Sequence, residues 1–437
     1  MRYLKFVLFI CFLGLTHESL SQIYLNEYKF GEGLNFSGEK GYSIRLDGYV
    51  QPYADTKKYL NTDDPDLYTR FRMRRIRLVL SGESENHKLK YRFKVDLSGT
   101  PEIGVEDEDN SGNFLLDAYV SYELNNDLSL TFGQRSTPTD NRELRMNSQT
   151  LQLPERSRIT SAFSTIREFG IFADGTYRIR GGSYLKPSLA ITNGDGLNAF
   201  GKDRGGFKYG GRLDYLPFGL FTKFGQFRQA DIVRELTPKL VVGGSYSYNQ
   251  GMSSRRGRTS GSIIYLDENN NEALPDYAKL SIDFLFKYKG FSVLGEYAKS
   301  WASINDAISQ RVRNNGSVTD GFLVDGVQAI NSYVRGRMML GEAYNIQAGY
   351  VFKSLYSIDA RYTHLNADTH SFLNNGTFYN RPNYYTLGVS KYLDRNYGAK
   401  IQASFTYVDV AEGSNNLDGN PINGNEWIAR LIFTVGF

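Results

Sequence analysis

Five arginines crowd into eight residues at the start of the segment RFRMRRIRLVLSG, Arg70 to Gly82. A guanidinium stays charged at any physiological pH and grips carboxylate or phosphate through a planar fork of donors. Such a cluster therefore draws anions, or it is neutralised by carboxylates of its own chain. The apolar residues around it change parity: Phe71 and Met73 are odd, whereas Ile76, Leu78 and Leu80 are even. A β-bulge near Arg74–Arg75 explains the change. Beyond it Arg75, Arg77, Val79 and Ser81 share one strand face, and Lys90, Arg92 and Lys94 share a face of the next segment. Asp47, Asp96 and Asp117 are the carboxylates that could neutralise them. The sequence leaves both outcomes open.

Other chemistry is sparse. Four histidines occur, at 17, 87, 364 and 370. His364 and His370 flank a loop near Ser371, the only place where a Ser–His nucleophile can be imagined, and solvent-facing loop residues are the plainer reading. Two loops resemble calcium sites. DEDNSG (107–112) has the glycine, but Ala118 stands where a calcium loop needs a bidentate Glu; DENNNE (267–272) lacks the glycine. Both read as hydrated loop tips. The segment 136–166 mixes Arg142, Glu143, Arg145, Glu155, Arg156 and Arg158 around a helix-compatible stretch, 140–151. It is the candidate for a loop that folds inward and narrows a lumen. No catalytic residue, metal site or cofactor is expected.

The elements that must hold these residues are strands. Residues 88–98 place Leu89, Tyr91, Phe93, Val95 and Leu97 on one face and Lys88, Lys90, Arg92, Lys94 and Asp96 on the other. The same alternation recurs near 114–124, 207–215, 280–288, 356–362 and 399–407, and more weakly near 42–51, 70–81, 128–135, 168–177, 184–192, 239–248, 291–299, 330–340, 346–353 and 384–392. These lengths are close to the ~9–11 residues of a membrane-spanning strand. Short turns such as Asn125–Asn126 and Lys289–Gly290 alternate with long polar stretches at 52–68, 99–112, 136–166, 250–276 and 300–328. That asymmetry, with long loops outside and short turns inside, is the habit of outer-membrane barrels. Cations at mid-depth on the lipid face would cost ~2–4 kcal/mol each, so the basic face belongs to the lumen, where it lowers the barrier for anions.

Composition agrees. The 32 tyrosines, 28 phenylalanines and 44 glycines suit strands and tight turns. A mean hydropathy of −0.43 excludes a hidden bundle of apolar helices. The formal charge of +4 is nearly neutral, so any charge preference must come from placement. Arg2 and Lys5 precede an apolar run, Phe6 to Leu15, with Ser19 and Ser21 at the small-residue positions of a cleavage site. A signal peptide is expected over 1–21, with Cys11, the single cysteine, inside it. The mature chain then holds an N-terminal segment, 22–40, and one barrel domain, 41–437. The last strand, NEWIARLIFTVGF, alternates from Trp427 to Phe437, the kind of aromatic-ended strand that the barrel-insertion machinery reads.

The pieces FRMRRIRLVLSG, YRFKVDL, LLDAYVSY, TFGQRSTPTD through PERSRI to REFGIFADG, KYGGRLDYLPFG and YYTLGVSKYL together resemble the phosphate-selective porin O/P family, with the Gln22 start and aromatic loops similar to Bacteroidetes members. The resemblance implies a trimeric, sixteen-stranded anion channel with a lumen ladder of arginines. Arg45, Arg74, Arg75 and Arg212 fall in matching strands, Arg135 enters the constriction loop, and Asp96 matches an acidic position. A trio of constriction lysines is not identifiable.

The expectation is therefore an all-β antiparallel transmembrane barrel of about sixteen strands, with long extracellular loops and an inward constriction loop. It would sit in the outer membrane of a Gram-negative bacterium as a homotrimer, pass small anions such as phosphate, contact lipid and bind no nucleic acid. A non-selective porin, a surface adhesin and a barrel hydrolase are the alternatives.

Overall fold

The computed structural model describes residues 23–26, 28–60, 67–99, 114–200, 204–259 and 261–437. The expected signal peptide and the DEDNSG loop lie outside them. Among the described residues sixteen strands form one closed antiparallel barrel. The first eight are β1 (Ser43–Tyr59), β2 (Leu67–Glu83), β3 (Leu89–Asp96), β4 (Leu115–Asn125), β5 (Leu128–Ser136), β6 (Arg167–Gly175), β7 (Tyr184–Thr192) and β8 (Lys208–Leu216). The rest are β9 (Lys239–Asn249), β10 (Asp276–Tyr288), β11 (Phe291–Ser303), β12 (Gly341–Val351), β13 (Tyr356–Ala367), β14 (Asn383–Tyr392), β15 (Ala399–Asp409) and β16 (Glu426–Gly436). Neighbours in sequence are neighbours in space. Closure comes from β16, which pairs with β1 from Glu426↔Tyr59 to Gly436↔Tyr49. Closing the sheet leaves no edge groups without partners, the condition for strands in lipid.

The faces are inverted relative to a protein that folds around an oily core. On β13, Ile358 is 58% exposed while its neighbours Ser357 and Asp359 are 1% exposed. On β14, Leu387 and Val389 point out, and Thr386 and Ser390 point in. An apolar exterior around a polar interior is stable only if hydrocarbon bathes the outside. Among the described residues no helix is long and apolar enough to cross a membrane; the spanning elements are the strands.

The expected bulge is present. Gln51 pairs with Arg75 and Pro52 with Met73, so Arg74 is the extra residue on β2. Pro52, which cannot donate to the ladder, sits at this irregularity, where proline is tolerated. Strict alternation would send one of Arg74 and Arg75 into lipid; the bulge turns both inward, 1% and 0% exposed.

Three expectations are corrected. The loop expected over 52–68 is instead strand on both sides, because β1 runs to Tyr59 and β2 starts at Leu67; the parity jump at the bulge hid both extensions. The strand expected over 330–340 is a short helix, Ile330–Arg335, inside an external loop. Third, the connection between β8 and β9, residues 217–238, lies at the end where the turns 126–127, 289–290 and 352–355 are short, yet it is long and folds into the lumen. Beyond the barrel seam a hairpin of Ile23–Leu25 and Leu34–Gly38 extends the sheet along the start of β1.

Candidate conduction pathway

The lumen is narrowed by the loop 137–166, which leaves β5 and folds back inside. Its anchors are ionic and lie on one side of the barrel. Arg142 reaches Asp283 and Asp214, each at 2.7 Å, and Arg145 reaches Asp214 at 2.7 Å. Arg212 bridges the same two carboxylates at 2.8 and 2.5 Å. Asp140 pairs with Lys279 and accepts from the backbone of Thr165 and Ile166. Glu143 accepts from the backbone N–H and hydroxyl of Ser157 and the hydroxyl of Thr160, and so pins the start of the short helix Arg158–Phe163. The wall makes room: a Cβ on Gly243 would lie 2.1 Å from Asp214 Oδ1 and 2.7 Å from Arg142 Nη2.

From the other end the turn 217–238 rises to meet the loop. The Gln229 side chain donates to Glu143 and accepts from the Gln152 N–H, at 3.0 and 2.7 Å. Lys287 of β10 donates to the carbonyls of Gly225 and Ala230, 2.9 and 3.0 Å away. Two layers of chain thus share the cross-section, and what remains is a cavity above and cavities below.

The outer cavity, about 150 Å³, opens among the long loops. Its charged lining comprises Lys57, Arg70, Arg72, Arg156, Arg158, Arg361, Arg381 and Arg430 against Asp55, Glu155 and Glu426. The inner cavity, about 540 Å³, is lined by Arg45, Arg92, Lys94, Lys223, Arg228 and Arg395 against Glu32 and Asp47. Basic groups outnumber acidic ones on both sides. Low-dielectric walls focus such a field into the aqueous space.

Between the cavities the loop is latched to β1 and β2 at two points. Glu155 binds Arg74 and Arg75, and Ser148 accepts from Arg77 at 2.9 Å and lies 2.6 Å from the Tyr49 hydroxyl. Burial alone would raise the Glu155 carboxyl; the guanidinium groups of Arg74 and Arg75 override it and hold it well below the usual carboxylate range.

The residues singled out from sequence separate into three groups. Arg45, Arg92 and Lys94 line the inner cavity, and Arg135 lines a smaller one beside it. Arg74, Arg75 and Arg77 form the buried wall behind the latches. Arg212, expected on the ladder, is instead locked between Asp214 and Asp283 as part of the loop's anchor. Neutralising partners exist as well: Arg77–Asp96 at 2.8 Å, Arg92–Asp117 at 3.1 Å, Arg45–Asp47 at 3.1 Å and Arg135–Asp174 at 2.6 Å. Sequence reasoning missed Arg361, Arg381 and Arg430 of the outer cavity. Strand parity could have found Arg361 and Arg430, which stand opposite the apolar faces of β13 and β16. His364 and Ser371 are not brought together as a nucleophilic pair: His364 Nδ1 lies 2.8 Å from the Asn383 side chain, and the Ser371 hydroxyl accepts from the Leu340 and Leu373 N–H groups.

Sequence comparison agrees with the geometry. The family model described as phosphate-selective porin O and P matches residues 48–251. Over that stretch the chain is similar to the porin O and P family. The stretch holds the arginine wall, the constriction loop and the anchors Arg212 and Asp214 on β8, whereas the anchors Lys279 and Asp283 on β10 lie beyond it. No curated protein sequence matches the chain. Solved structures similar to this chain include the trimer form of in-vitro folded OmpT, an outer membrane protein of Vibrio cholerae, 10% identical, covering 90% of this chain and 99% of that one with a TM-score of 0.46. The outer membrane channel DcaP of Acinetobacter baumannii is 11% identical, covering 91% and 99%, with a TM-score of 0.48.

Proposed function

We propose that this porin lies in the outer membrane of a Gram-negative bacterium and passes small hydrophilic solutes by diffusion, with a preference for anions that includes inorganic phosphate. The observation that carries the preference is the excess of basic groups in both cavities, joined by the arginine wall of β2. In this reading Arg74, Arg75, Arg77, Arg92, Lys94 and Arg135 set the potential along the path, and Asp96 keeps Arg77 in place. Arg45 belongs to the inner mouth. The chain is exported by cleavage after residue 21, inserted through its Trp427–Phe437 strand and assembled as a homotrimer.

The ion pairs along β3 to β6 favour a second reading, a porin without charge preference, since each pair is neutral at a distance. Proteoliposome uptake separates the two. A small carboxylate or phosphate is expected to enter several-fold faster than a neutral sugar of equal size; equal rates leave only the unselective porin.

A further inference from the structure

We propose that Glu155 is a built-in anion: its carboxylate fills the Arg74–Arg75 pair in the resting channel, and a permeating oxyanion crosses the floor of the outer cavity by exchanging with it. The inference rests on the anion-preferring reading above and names the residue that sets how tightly the pore holds its solute.

The geometry puts Glu155 on the path and the arginines behind it. Glu155 lines the outer cavity, whereas Arg74 and Arg75 line neither the outer nor the inner cavity and are buried by its side chain and the loop. Its two oxygens meet both guanidinium groups, Oε2 lying 3.3 Å from Arg74 Nη2 and 3.3 Å from Arg75 Nη2. A phosphate or carboxylate offers the same oxygen pair to the same forks. The backbone on either side is held independently. Arg156 donates to the carbonyls of Glu143 and Met146, and Arg361 donates to the carbonyl of Glu155 at 2.9 Å. Exchange at 155 therefore needs a side-chain rotation and no movement of the loop.

The reason for such a residue is kinetic. Conduction requires a site that attracts the ion yet releases it, and two adjacent buried guanidinium groups that met an anion with no competing carboxylate would hold it tightly. A tethered carboxylate supplies the competitor that drives release.

The test is block of chloride current by inorganic phosphate in planar bilayers containing the purified full-length protein. Glu155→Gln is expected to lower the half-blocking phosphate concentration about tenfold, the scale of one charge-assisted hydrogen bond. Glu155→Asp, which keeps the charge, is expected to block like the wild type. Asp55→Asn removes a carboxylate paired with Arg70 and Arg72 in the same cavity, and it should shift the midpoint far less than Glu155→Gln does. An unshifted Glu155→Gln, or an equal shift in Asp55→Asn, overturns the exchange while the anion-selective porin stands. A wild-type channel with no anion preference removes the underlying reading and the exchange together.

Discussion

Replacing residues 219–236 by a short Asn-Gly turn is expected to raise single-channel conductance several-fold while the barrel stays intact. The two strands it joins remain paired without it, since β8 and β9 are in register from Lys208↔Asn249 to Tyr215↔Val242, and a tight turn closes such a hairpin without strain. What the turn contributes lies inside. It presents Lys223, Phe224, Phe227 and Arg228 to the inner cavity, and Gln229 touches the constriction loop. Lys287 would lose the carbonyls of Gly225 and Ala230, but the widened lumen admits water to replace them. Single-channel recording checks the result, with heat-dependent migration on gels reporting the fold. Unchanged conductance would mean that the narrow section lies wholly within the 137–166 loop.

Asp283→Ala is expected to release that loop. Its carboxylate takes one bond each from Arg142 and Arg212, all three side chains being fully enclosed. Removing one partner of a buried ion pair costs about 3–5 kcal/mol because the other charge stays buried. The strand ladder is untouched, so the loss falls on the loop, whose detachment lets Arg142 hydrate. The expected signs are trypsin cleavage near Arg142 and Arg145, absent in the wild type, together with unstable current levels. Continued protection from trypsin would show that Asp140, Glu143 and Asp214 hold the loop without Asp283.

How much of this was legible in the chain follows from what each feature imposes on sequence. A spanning strand must alternate because lipid lies on one side and water on the other, so fifteen of the barrel strands besides the last carry the period-2 signature. The bulge was legible too, since it shifts parity around Arg74. It also misled: with parity broken and Pro52, Lys57 and Lys58 nearby, the outer half of β1 read as loop. The helix at Ile330–Arg335 has apolar residues in a short run that fits either period. The inward course of 217–238 left no mark, because a chain folded into a polar lumen needs the same polar residues as one in solvent. The site was half legible. The cations of β2 and β3 follow from parity, but several of their partners come from far along the chain: Glu155 for Arg74 and Arg75, Ser148 for Arg77, Asn147 for Lys94. Pairings of that kind depend on how a loop docks, which no local pattern records.

On the proposed reading, basic groups in two cavities and the wall between them favour anions, even though many of those groups are paired. The zero-current potential of the wild-type protein in a planar bilayer under a KCl gradient tests it most directly. A potential whose sign reports faster passage of chloride than potassium, and which shrinks when Arg361 and Arg430 are replaced by glutamine, is the predicted result. A potential at zero, or of the opposite sign, would contradict it and leave the carboxylates of the wall, not its arginines, as the groups that a passing ion meets.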